Sequence, residues 1–446
     1  MQKLKDKITL VNHASVLIES DDISILSDPW YFGPAFNGGW SLLYENDEED
    51  IKNILNRTKF IWISHEHPDH FSVPFFFKYK EFLIEKGIKI LFQKTTDGRV
   101  KSFLQKVGLE VIDLPNYKKV HLDDNVTVKC IKSGFYDSAL YVETPSSKIL
   151  NLNDCPLREK QDFNDFKKHI GNVDLLLTQF SYAAWKGGKD NLEWREEAAK
   201  EKLDIIRDQA FAFNANLVMP FASYIKFCSK YNNYLNDSHN TTAAVKESLD
   251  AHNIECAFPK PMVTDEIDNL KYNHDGISFW ESLFQRDNLS LNLELESVDY
   301  ELLNDLGKDY QKRVFKNNNK FIIRALKLLN IFGAFKPINI HLYDINKTVR
   351  FSFFKELDLI SDDMYEIEMH SNSLAFIFKN SFGFDTLTVN GCFEEKEKGA
   401  FIKLTKNFAV ENLNNLGVPI GFKALMSPQI FSFFFAMLKR VNSKIG

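Results

Sequence analysis

Short apolar runs broken by polar turns dominate the first part of the chain and predict strands at 8–11, 15–19, 23–26, 60–64, 88–92, 126–131, 139–143 and 148–152. Between them, apolar residues at helical spacing predict helices at 50–55, 73–86 and 96–107, the last closing at Gly108. A buried strand at 173–179, a long Glu, Lys and Ala-rich helix at 192–214 and a strand at 217–221 follow. This order suits a sheet-on-sheet sandwich with helices outside. The alternation stops around 259–268, so residues 1–265 are expected to form one domain. Residues 266–335 read as a helical linker region, with a polar stretch ending in Asn317-Asn318-Asn319. Residues 336–446 read as a small α+β domain with strands at 349–353, 365–370, 373–379 and 386–389 and a closing helix near 427–441.

At 446 residues the chain exceeds one ordinary domain, and each part can bury a sizeable core without disulfide staples. The five cysteines, Cys130, Cys155, Cys228, Cys256 and Cys392, are scattered and show no Cys-x-x-Cys or Cys-x-His pairing. Reduced thiols, a cytoplasmic setting and no intrinsic iron–sulfur cluster are therefore expected. With 55 basic against 61 acidic residues, a net charge of −6 and no basic block, nucleic acid is not an expected partner. No apolar stretch reaches the roughly 20 residues of a spanning helix, the richest at 430–438 being too short, so no membrane span is expected. Forty phenylalanines fit aromatic-dense cores and leave room for an apolar binding cleft.

The chemistry concentrates in His65-Glu66-His67-Pro68-Asp69-His70, directly after the apolar stretch Phe60-Ile61-Trp62-Ile63-Ser64. Imidazole and carboxylate suit Zn²⁺, Mn²⁺ or Fe. One face of a helix cannot present all four side chains at this spacing, whereas a loop leaving a strand can turn them inward. Two more carboxylates, Asp28 and Asp154, stand where a strand becomes a loop. Such a carboxylate can bridge two cations or orient an imidazole; the alternative for each is turn capping. Trp30, Tyr31, Phe36 and Trp40, in a glycine-containing loop, are expected to stack on a sugar or base, and Lys186, Lys189 and Arg195 to neutralise a phosphate. His121 is expected in a surface turn.

His13-Ala14-Ser15, Ser27-Asp28-Pro29-Trp30, the 65–70 run and Asn153-Asp154 resemble the ordered motifs of the metallo-β-lactamase superfamily. The fold this implies is α/β, an αββα sandwich, here with a C-terminal α+β domain. A closer resemblance is to the non-Rieske, catalytic part of the CMP-N-acetylneuraminate hydroxylase family. It is carried by residues 28–40, 61–74 and 148–155, by Gly187-Gly188-Lys189 with Glu193-Trp194, and by Pro220-Phe221-Ala222, over roughly 8–260. The later residues show a likeness to sterol-carrier-like modules. They are expected to cap the cleft or mediate assembly. The family's Rieske cysteine-histidine pairs have no counterpart in this sequence.

The superfamily pattern implies further metal-binding histidines before 139–143 and after Ala222, where this chain has Ser133 and Ser229. His239, His252 or Asp137 are the candidates to stand in. The resemblance implies one ion on His65, His67 and Asp154, any second on Asp69, His70 and Asp154, and His13 and Asp28 behind them. Two imidazoles with one carboxylate form the ligand set of non-haem Fe(II) oxygenases, which favours Fe over Zn or Mn for the one or two divalent ions. The implied function is hydroxylation of a nucleotide-linked or phosphorylated sugar with electrons from a separate Rieske or ferredoxin protein. The alternatives are a zinc or manganese hydrolase of a phosphodiester, lactone or amide, with Asp69 accepting the proton, and a non-catalytic metal- or ligand-binding scaffold.

Overall fold

The computed structural model describes residues 5–272, 275–286, 295–329, 333–361 and 364–421. The chain opens with the antiparallel strands β1 (Lys7–Asn12), β2 (Ser15–Ser20) and β3 (Ile23–Ser27), then β4 (Trp40–Leu42). Next come α1 (Glu48–Arg57), β5 (Phe60–Ile63), α2 (Val73–Glu85), β6 (Lys89–Gln93), α3 (Arg99–Lys106) and β7 (Val111–Leu114). A second run of strands is β8 (Lys119–His121), β9 (Thr127–Ser133), β10 (Asp137–Glu143) and β11 (Lys148–Asn153). It continues through α4 (Lys160–Lys167), β12 (Leu175–Gln179), α5 (Leu192–Phe213), β13 (Leu217–Phe221), β14 (Ile225–Phe227), α6 (Thr242–Asp250) and β15 (Thr264–Glu266).

Two large sheets result, one ordered β15-β1-β2-β3-β5-β6-β7 and the other β13-β12-β11-β10-β9-β8, with β14 and β4 as a small ribbon. Strands β3, β5, β6 and β7 run parallel, as do β11, β12 and β13, so their C-terminal ends carry loops at common edges. The two-residue period of a strand explains the layers. In β5, Trp62 points into the core between the sheets with Leu140, Leu150 and Leu176, whereas Ile61 and Ile63 pack outward with Phe75, Phe76 and Leu83 of α2.

The C-terminal part carries α7 (Asp275–Phe284), α8 (Tyr300–Asn317) and α9 (Lys320–Leu328), then β16 (Ile338–Leu342), β17 (Lys347–Phe351), β18 (Asp358–Ile360) and β19 (Ile367–Met369). It ends with α10 (Ser371–Lys379), α11 (Gly383–Asn390), β20 (Phe393–Glu395) and α12 (Ala400–Asn415). The five strands form one sheet in the order β18-β17-β16-β19-β20. Two predicted strands are corrected here: 373–379 lies in α10 and 386–389 in α11. His370 caps α10 by accepting from the Asn372 amide, and Gly391, at φ 63°, closes α11 in the left-handed conformation that glycine tolerates. Strand β15 also comes from a stretch read as the end of the alternation, and His121 ends β8, exposed. The expected helix at 427–441 lies outside the described residues.

Candidate metal centre

The run 65–70 is held between the end of β5 and the start of α2. Ser72 caps α2 by accepting from the Phe75 amide, and the amides of His70 and Phe71 fold back onto the His67 carbonyl at 3.0 and 2.7 Å. Because β3 runs parallel to β5, Asp28 arrives beside Ser64 and becomes the hub of the edge. It accepts from the Ser64 amide at 2.8 Å, from Ser64 Oγ at 2.7 Å and from Asn153 Nδ2, and it lies 3.1 Å from His70 Nδ1. Asp28, Asn153 and Ala222, all at strand ends here, have φ of 37°, 50° and 52°, a left-handed conformation costly for non-glycine residues. The Ala222 amide donates to the His13 carbonyl at 2.7 Å, which pins the β1–β2 turn to the same edge.

These supports aim the ring nitrogens. Ser64 Oγ lies 2.9 Å from His65 Nδ1, leaving His65 Nε2 2.8 Å from His67 Nδ1 and 3.8 Å from Asp137 Oδ1. With His70 Nδ1 on Asp28, its Nε2 faces Asp69 Oδ2 at 3.1 Å and Asp154 Oδ2 at 3.4 Å. His13 Nε2 stands 3.4 Å from Asp69 Oδ2. Two overlapping groups therefore offer ligand atoms within 4.8 Å of one another: His13, Asp69 and His70, and His65, His70 and Asp154. Both ring nitrogens of His13, Asp69 Oδ1 and His70 Nε2 are buried without a hydrogen-bond partner among the described residues. Buried polar atoms are normally satisfied, and a divalent cation would satisfy one nitrogen of His13 together with Asp69 and His70 Nε2, so the donor set fits such an ion.

Charge is distributed unevenly across the cluster. Burial pushes His65 well below the ordinary histidine range, reinforced by His70 and His67. Burial acts the same way on His70, but Asp69, Asp154 and Asp28 overcome it and hold that ring well above the ordinary range. Asp69, buried yet flanked by His70 and His13, stays well below the usual carboxylate range. Burial, with the Asp154 charge next, pushes Asp137 up to about 7.

The grouping differs from the one expected. His13, expected behind the ligands, joins the donors, and His70 rather than His67 completes the group with His65 and Asp154. His67 lies beside His65, bordered by Phe36 and Tyr136 at ring distances of 5.9 and 6.4 Å. Ser133 ends β9, and Ser229 belongs to a turn closed by Asn232. His252 is exposed, with Nδ1 2.9 Å from the Ser248 carbonyl. His239 is buried among Phe180, Tyr182 and Phe284, and both its nitrogens lack partners among the described residues.

Five of the seven side chains expected to face substrate are buried instead. Trp30, Tyr31, Phe36 and Trp40 are all buried in packed cores, Tyr31 against Phe75 and Trp40 against Phe36 and Phe227. Arg195, also buried, pairs with Asp237 at 2.7 Å and donates to the carbonyls of Gly188, Lys189 and Asn191. Lys189 faces Glu394 at 3.7 Å. Lys186 belongs to the same 183–191 loop, which docks on the C-terminal part through the Trp185 amide and the Thr388 carbonyl, 3.0 Å apart. A different recess, a cavity of about 420 Å³, begins beside the 65–70 run and is lined by Glu66, Arg99, Lys132, Tyr136, Asn414 and Asn415.

Sequence reasoning missed Gln179 and Lys202. Gln179 Nε2 donates to Asp154 Oδ1 at 3.0 Å, and Lys202 donates to Gln179 Oε1. Gln179 was within reach of the rule that found Asp28 and Asp154, since it too ends a strand at this edge. Lys202, in mid-helix, gave no such signal.

Residues 7–106 match the family model described as a beta-lactamase superfamily domain, and the sandwich is a metallo-β-lactamase fold followed by the C-terminal α+β part. The chain is 28% identical to the cytidine monophosphate-N-acetylneuraminic acid hydroxylase of Xenopus laevis, over 49% of this chain and 38% of the relative. It is 26% identical to that of Danio rerio, over 54% of this chain and 40% of the relative. The chain thus spans about two fifths of the length of these curated relatives. Among solved structures it is similar to CmlA, a diiron beta-hydroxylase from Streptomyces venezuelae, at a TM-score of 0.37 and 15% identity, covering 49% of this chain and 45% of that one. Among the described residues no helix is long and apolar enough to cross a membrane.

Proposed function

We propose that this chain is a metal-dependent enzyme that hydroxylates a nucleotide-linked or phosphorylated sugar, taking electrons from a separate Rieske or ferredoxin protein. The observation that carries this reading is the convergence of His13, His65, His70, Asp69 and Asp154, with buried ligand atoms left unsatisfied. The hydroxylase relatives supply the reaction class. His65, His70 and Asp154 would hold one divalent ion; His13 and Asp69 would stand toward any second, because the single His70 nitrogen that faces the centre serves one ion, with His67 and Asp137 at the border. Bound there, the ion would supply Lewis acidity and, as iron, the one-electron chemistry that O₂ requires. The balance is one C–H bond, O₂, two electrons and two protons converted to one C–OH group and water.

The chain's own residues do the rest. Asp28 and Ser64 hold His70 and His65 by their Nδ1 atoms, so that each ring presents Nε2 to the centre. Asp137 sits at the half-open border, where it can carry a proton between solvent and the site. Buried Trp30 packs against His13 and Phe36 against His67, keeping water from the back of the cluster. The recess beside Glu66 and Tyr136 is the space in which a sugar would lie.

One observation favours a second reading. The entry of His13 restores an imidazole to a set that looked short of them, and an imidazole-rich centre suits zinc hydrolysis. Metal analysis of the purified protein, with turnover measured with and without O₂ and reductant, separates the two. Iron with oxygen-dependent turnover is expected. Zinc with oxygen-independent cleavage establishes the hydrolase, and protein that takes up no metal leaves neither.

A further inference from the structure

We propose that Lys202 and Gln179 form a positioning relay that fixes how the Asp154 carboxylate is offered to the ion, an inference that rests on the metal-centre reading above. The relay runs from helix α5 to the end of strand β12. Lys202 turns its ammonium inward and donates to Oε1 of Gln179, the last residue of β12. Gln179 Nε2 donates to Asp154 Oδ1 at 3.0 Å, and Asp154 Oδ2 lies 3.4 Å from His70 Nε2.

The chemistry of the three groups permits one polarity. An ammonium has only donors and an ionised carboxylate only acceptors, so the amide between them must point its carbonyl at Lys202 and its NH₂ at Asp154. A flipped amide would oppose carbonyl to carboxylate and NH₂ to ammonium. Lys202 and Asp154 therefore lock the Gln179 amide from both ends, and Gln179 engages one carboxylate oxygen while the other faces the centre. Burial pulls the Lys202 amine down to about 8, which leaves it mostly a cation at neutral pH.

The surroundings support a positioning role over a ligand site. The cavity at this point, lined among others by Asp154, Arg158, Gln179 and Lys202, holds about 20 Å³, space for a single water. A second bond, Thr178 Oγ1 to Gln209 Oε1 at 2.6 Å, ties the same strand end to the same helix. The relay thus acts from a fixed base.

The test is cobalt(II) titration of the chelator-stripped full chain, read by visible ligand-field absorption and by competition with a chelating dye. Lys202→Met and Gln179→Leu should each weaken cobalt binding by about 10–100-fold and alter the absorption, with thermal unfolding of the metal-free protein little changed. Lys202→Arg, still a donor-only cation, should restore affinity to within a few-fold of the original. The double variant should lose no more than the worse single one, because both changes cut one chain of contacts. Should Lys202→Met fail to fold, Gln179→Leu reads the same relay from its middle. Original affinity and absorption in both single variants, or fully additive losses in the double, would overturn the relay alone. Original protein that takes up no cobalt overturns the metal-centre reading together with it.

Discussion

At the scale of single residues, Asp28 shows how much one carboxylate can organise. Ser64 Oγ, Asn153 Nδ2 and His70 Nδ1 all approach its Oδ2, so an amide NH₂ at that position would meet groups that present protons to it. Asp28→Asn should lower stability by about 2–4 kcal/mol in urea unfolding of the metal-free protein, because buried hydrogen bonds to a charge are lost and donors stranded. A change under 0.5 kcal/mol would remove Asp28 from the hub. His239 offers a pH test. Burial pushes its ring down to about 3, whereas in the unfolded chain it titrates near the ordinary value of about 6.5. The unfolded state therefore binds the extra proton, and the stability this ring contributes is present above about pH 6.5 and lost as pH falls toward 3. Between pH 7 and pH 5, chelator-treated His239→Leu protein should lose about 2 kcal/mol less than the original. Equal losses would show that the ring is not held neutral.

At the scale of elements, the loop preceding β4 has a role its composition conceals. Its Trp30, Tyr31 and Phe36 side chains are buried, and its backbone receives the C-terminal part: Asn390 Nδ2 donates to the Phe36 carbonyl at 3.0 Å, and Asn232 Nδ2 bridges the Gly39 and Asn390 carbonyls. A Cβ on Gly39 would lie 2.4 Å from the Asn390 Cβ, an atom too close to the backbone to swing aside. Gly39→Ala should therefore cost about 1–3 kcal/mol and speed hydrogen exchange in α11, while amides of β5 keep their protection. Unchanged α11 exchange would mean that the junction yields without cost.

The same loop marks where sequence reading stopped. Strands such as β5 and β11 were legible because each carries its own apolar run, and the 65–70 loop because its spacing excludes a helix face. Whether Trp40 stacks on a ligand or on Phe227 depends on a strand nearly 190 residues away, which local pattern does not encode. His13 reaches the donors from a turn that Ala222 pins, again a long-range fact. In α11, the β-branched Thr386, Thr388 and Val389 favour a strand locally, but packing of Phe384 and Leu387 and the Gly391 cap impose a helix.

At the scale of the whole molecule, one apolar core joins Trp30, Trp40, Trp185 and Phe227 of the sandwich to Ile340, Phe351 and Phe393 of the C-terminal part. Interfaces between independent domains are usually more polar than this. A chain ended at residue 286 should aggregate or unfold without a cooperative transition, whereas the full chain should melt as a unit, by calorimetry and light scattering. A monomeric, cooperatively melting fragment would show that the sandwich stands alone.

Phe36 touches the His67 ring with its side chain and is gripped through its carbonyl by Asn390, 354 residues along the chain. The border of the donor cluster thus inherits its shape from the seating of a distant partner segment. Two descendants of this chain with identical histidines and aspartates could diverge in ion preference through drift at that seam alone, and transplanting the donor set onto another sandwich would leave that influence behind.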